Sequence, residues 1–102
     1  MFELQISKDS YKFLCMLYEE YLTRRDSLSK DSAKRFYTVP DFICEHFDKS
    51  DCHSCLVELK ANGFIKLYID DGFLITDDAI VYMENRFKKG ISDVADFISK
   101  IF

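Results

Sequence analysis

The sequence predicts a mostly helical α+β fold, one small domain carrying a single two-stranded hairpin. Three observations carry that expectation. Five stretches repeat apolar residues at helical spacing, each opened by a Ser or Thr that can cap a helix. One β-rich run, residues 64–75, is broken by the turn signal Asp70-Asp71-Gly72. Only three Gly and one Pro occur in 102 residues, which leaves little chain for loops.

The bulk numbers agree. A chain of this length buries one core, so residues 1–102 are expected to form one domain, with 1–7 as an N-terminal arm and 91–102 as an appended helix. Hydrophobic residues make up 48% and aromatics 16%, with ten Phe, six Tyr and no Trp, which excludes a disordered chain. No apolar run approaches the roughly 18 residues needed to cross a membrane, and MFELQISKDS lacks the pattern of a signal peptide. A cytoplasmic protein without a membrane partner is expected, its four cysteines reduced.

In chain order, Phe2, Leu4 and Ile6 alternate weakly, as a short strand or an extended arm would. Ser7 is a good N-cap, and Tyr11, Leu14, Cys15, Tyr18, Tyr21 and Leu22 share one face of a first helix from Lys8 to Arg24. Its other side, Lys12, Met16, Glu19 and Glu20, reads as polar. Residues 24–34 have no apolar period and read as a loop. The echo SKDSYKF at 7 and SKDSAKRF at 29 is too short for a structural repeat and reads as shared capping chemistry or coincidence. Thr38-Val-Pro-Asp41 looks like a helix start, with Val39, Phe42, Ile43 and His46 on one face and an end near Phe47. A strand before that helix would be short and lie near 36–38.

Ser50 is expected to open a third helix with Cys52, Cys55, Leu56 and Leu59 as its core stripe and Ser54, Val57 and Ala61 pointing away. Asn62-Gly63 ends it, Phe64–Ile69 and Phe73–Ile75 form the hairpin, and Thr76 caps a fourth helix facing inward through Ile80, Met83 and Phe87. Gly90 stops that helix. Ser92 is expected to cap a last amphipathic one with the apolar side Val94, Phe97, Ile98, Ile101 and Phe102. Three helices, a two-stranded wing and further helices in this order describe a winged helix-turn-helix with an extra C-terminal helix.

Two stretches add a resemblance. LKANGFI at 59–65 and LITDDAIVYME at 74–84 resemble winged-helix proteins, in which a leucine, three residues, a glycine and an apolar pair close the recognition helix. The nearest likeness is to small phage-associated winged-helix proteins of the YjcQ type, over roughly residues 38–102, with Ala79 standing where that pattern has glycine. The resemblance implies a DNA-binding protein, a transcriptional regulator of phage or mobile-element type.

The candidate sites follow from charge and exposure. On the third helix His53, Ser54 and Lys60 are the bets for a DNA groove, and Lys66 on the wing would meet phosphate. Arg24, Arg25, Lys34 and Arg35 form the one basic island, five bases against two acids over 24–37. Against this stands a formal charge of −4, matched by seven acids against three lysines between Asp48 and Asp78. The alternative is therefore a winged helix that binds protein through an acidic recognition helix and wing. The last helix closes the monomer core or, through Val94, Phe97, Ile98, Ile101 and Phe102, forms a homodimer seam. Cys52-His-Ser-Cys55, with Cys44 and His46 nearby, invites zinc, but the cysteines fall on a core stripe and read as packing. No metal site, cofactor or catalytic residue is expected, and the chain does not read as an enzyme.

Overall fold

A computed structural model describes residues 6–69 and 72–101. The expected strand or arm at 2–6, the wing-tip Asp70 and Asp71, and Phe102 lie wholly or largely outside them.

α1 (Lys8–Arg24) begins where expected, the Ser7 hydroxyl accepting the Ser10 N–H at 3.1 Å. It is not two-faced. Phe13 through Tyr18 are six consecutive buried residues, Met16 among them, because the chain wraps this helix: α4, α5, α6 and the short α2 all pack on it. A helix turn that is apolar all round belongs inside, and the unbroken FLCMLY was the signal for it.

α2 (Lys30–Lys34) stands where a loop was expected, and Ser29 accepts the Ser32 N–H. The sequence echo thus marks two helix starts capped by the same serine-to-serine bond. β1 (Arg35–Phe36) follows. α3 (Asp41–Cys44) starts after Pro40 without a side-chain cap, so Thr38 does not open it. It is also shorter than expected. His46 falls in the turn beyond it and is exposed instead of packed, while Phe47 takes the core position.

α4 (Lys49–Ala61) is opened by Asp48, not Ser50. The Asp48 carboxylate accepts the Asp51 N–H at 2.8 Å, an acceptor placed on the positive end of the helix. Cys52, Cys55 and Leu59 are buried, and the helix ends at Gly63 with φ +78°, a conformation that favours glycine. β2 (Ile65–Leu67) and β3 (Phe73–Ile75) form the hairpin, and β1 adds a third strand in the antiparallel order β1-β3-β2. Phe36 pairs with Phe73, which also pairs with Leu67, and the two Phe rings stack at 5.1 Å on the core side.

α5 (Asp77–Arg86) is capped by Thr76, whose hydroxyl accepts the Ala79 N–H and donates to the Gly63 carbonyl at 2.7 Å. One side chain thereby ties the start of α5 to the end of α4. α6 (Ile91–Ile101) starts one residue before Ser92 and lies on α1. The fold is mostly helical α+β, and no helix among the described residues is long and apolar enough to cross a membrane.

Candidate functional site

α4 turns one stripe inward and leaves another uncovered. Cys52, Cys55 and Leu59 sit in the core, so the opposite positions, Ser50, His53, Ser54, Val57 and Ala61, with Lys60 beside them, are exposed. Most of these side chains are short. Nothing in the described fold packs over this stripe, and it is the part of α4 that another molecule can approach.

The sequence places a negative excess around this helix; the structure takes part of it away. Glu58 is turned to the side, where its carboxylate accepts the Ser7 backbone N–H, and that bond holds its carboxyl below the usual carboxylate range. Asp48 is the helix cap. Asp77 accepts from the Lys34 ammonium at 3.0 Å and lies 3.6 Å from Lys30, and Lys34 lowers its pKa likewise. Three of the seven acids thus have partners inside the fold. Asp51, in the first turn of α4, stays exposed.

The basic island is rearranged by the same logic. Arg24 bonds Glu20 at 3.1 Å and the Arg35 carbonyl at 2.7 Å, with its guanidinium 4.2 Å from the Phe36 ring centroid. It is a strut between α1 and β1. Lys34 keeps a side chain only 13% exposed and is held charged by Asp77. Arg35 lies over the rings of Tyr68 (3.9 Å) and Tyr37 (4.8 Å), and a Cβ on Gly72 would meet its guanidinium at 2.9 Å. Arg25 is exposed and donates to the nearby Leu28 carbonyl. The four do not converge on one outward surface. His53, Ser54 and Lys60 on α4 and Lys66 on β2 remain exposed, and Lys60 and Lys66 flank the turn through Asn62 and Gly63.

The tyrosines around Arg35 escaped sequence reasoning. Their signal was present: Arg35-x-Tyr37 and Lys66-x-Tyr68 put a cation and a ring on the same side of two strands, since side chains repeat every second residue.

On α6, Val94 is fully buried in the chain's own core. Phe97 meets Tyr11 edge-on and Phe87 at a tilt, both with centroids 5.6 Å apart, and Ile98 is partly buried. This helix covers α1 with the stripe that was also read as a dimer seam; Ile101 lies at its open end.

Cys15, Cys52 and Cys55 are buried and Cys44 is exposed. Burial pushes the Cys15 thiol up to about 12 and the Cys52 thiol to about 11, away from the thiolate that ligation or attack requires. Among the described residues no group of three or more His, Cys, Asp or Glu is placed to hold a metal ion.

No protein-family model, curated protein or solved structure matches this chain.

Proposed function

We propose that the chain is a small winged-helix protein of the YjcQ type that binds duplex DNA through α4, in the manner of a transcriptional regulator. One observation carries this: the exposed stripe of α4 holds His53, Ser54 and Lys60 with short neighbours, while Glu58 is drawn off it by Ser7. A helix entering a major groove needs a slender uncovered face with donors and no carboxylate wall. The order β1-β3-β2 supports the same reading, because the β2-β3 hairpin packs beside that helix with Lys66 on its first strand. Phosphate contacts then come from Lys60, Lys66 and the exposed Arg25, a small set for a chain of net charge −4.

Fluorescence anisotropy of a labelled duplex pool over a salt series tests it. With three or four phosphate contacts the logarithm of affinity falls against log salt with a slope of about −3. Lys60→Glu together with Lys66→Glu lowers affinity for all sequences by about tenfold and flattens the slope by about 2. Wild-type binding no tighter than that of the double variant defeats the proposal.

A second reading, a winged helix that binds protein, is favoured by the wing itself. Ile69 is fully exposed and Leu67 is 37% exposed, beside the net negative charge. Replacing both with Ser leaves duplex affinity intact if α4 reads DNA, and abolishes partner capture if the wing reads protein.

A further inference from the structure

A groove of about 350 Å³ lies between the start of α1, the end of α5 and the open end of α6. That volume is at the lower end of the roughly 300–1,000 Å³ typical of small-molecule sites. Its apolar surface comes from Ile6, Tyr11, Tyr82, Phe97 and Ile101. Among the described residues its charged lining is of one sign, Lys8, Lys12 and Arg86, with no carboxylate. In a chain of net charge −4, three cations around an apolar floor are a local reversal. The nearest acid on α4, Glu58, is bound to the Ser7 N–H.

The cationic side is also held in place. The Arg86 guanidinium lies 5.3 Å from the Tyr11 ring centroid and 5.8 Å from that of Tyr82. Burial pushes the Tyr11 phenol up to about 12, so it stays a neutral O–H at the rim of the groove. Tyr11 in turn packs edge-on against Phe97. A guanidinium beside edge-packed rings pairs a carboxylate at one end of a ligand with an apolar body at the other.

We infer that this groove binds a small amphipathic anion, a single carboxylate on an apolar tail, with Arg86, Lys8 and Lys12 facing the carboxylate and Tyr82, Phe97, Ile6 and Ile101 the tail. The site is separate from the exposed stripe of α4 and does not depend on what that stripe binds. It is nonetheless close to the rest of the fold's wiring. Ser7 lines the groove and its N–H holds Glu58, so a ligand here sits beside the bond joining α1 to α4.

The test titrates the full chain with octanoate, octanol and octyltrimethylammonium and follows backbone amide NMR shifts. Octanoate gives saturable shifts at Ile6, Tyr11, Tyr82 and Phe97, octanol binds about tenfold more weakly for want of the charge-assisted bonds, and the cation does not bind there. Arg86→Gln and the double variant Lys8→Gln with Lys12→Gln each reduce octanoate affinity and leave octanol unchanged. Because Arg86 also packs on Tyr11, the lysine variant keeps the test intact if Arg86→Gln fails to fold. Equal binding of octanoate and octanol, no saturable shift, or an unchanged lysine variant overturns the inference. So does a marked gain in affinity on deleting residues 1–5, which would make the N-terminal segment the occupant. An affinity that falls as protein concentration rises would make it a second copy of the chain, with the same consequence.

Discussion

α1 and α4, of 17 and 13 residues, are the longest helices among the described residues, and they use their surfaces in opposite ways. α1 buries eight residues and is covered on every side through its middle turns. α4 buries only Cys52, Cys55 and Leu59 and leaves the facing stripe open. Both are capped by an oxygen side chain accepting an N–H three residues on, so the difference does not lie in how they start. It lies in what surrounds them. A helix enclosed by neighbours supplies stability and cannot be reached; one backed on a single side is stable enough to hold its shape and free to be read.

The largest expected effect is a direct contrast between the two. Leu17, at 0% exposure in the centre of α1, should cost about 2–5 kcal/mol on Leu17→Ala, from lost burial and the cavity left behind. Val57→Ala on the open stripe of α4 should stay within about 0.5 kcal/mol. Urea unfolding of both variants measures this, and a Val57 cost comparable to that of Leu17 would mean the stripe is covered. Next comes the cap. Asp48→Ala should cost about 1 kcal/mol and speed amide exchange in the first turn of α4 while leaving α1 protected. Equal exchange changes in both helices would show that they do not open separately.

The smallest effect concerns the tie between them and depends on pH. Glu58 has a folded pKa below its ordinary value of 4.5 because the Ser7 N–H stabilises the carboxylate. The unfolded chain therefore binds the proton more readily. The stabilisation is present above that ordinary value and is lost as pH falls through the lower folded one. Glu58→Gln keeps an acceptor for the Ser7 N–H but removes the titration, so the acid limb of a stability–pH curve should become shallower. An unaltered limb would mean that the bond does not join the helices in solution.

Much of this was legible in the residues. Ser7, Thr76 and Gly63 mark helix ends because capping and positive φ are settled within a few residues, whereas α5 stops at Arg86, short of Gly90, whose positive φ precedes α6 instead. The core stripe of α4 follows from spacing alone. The misreadings share a cause. Met16 reads as surface until helices arrive on that side of α1, and His46 reads as packed until α3 stops at Cys44. α2 is too short to show an apolar period, so only its serine cap and the echo of SKDS pointed to it.

The candidate site divides in the same way. That α4 ends at a glycine, precedes a hairpin and carries Ser54 opposite its core stripe, with His53 and Lys60 at the flank, follows from the sequence by itself, since helix and strand periods are local geometry. Which charges that helix shows was decided by the tertiary structure. Lys34 meets Asp77 across 43 positions and Glu58 meets Ser7 across 51, and in both cases a carboxylate that reads as surface charge acquires a partner inside the fold. Coulomb and hydrogen-bond energies depend on distance in space, and separation along the chain says nothing about that until the helices have packed.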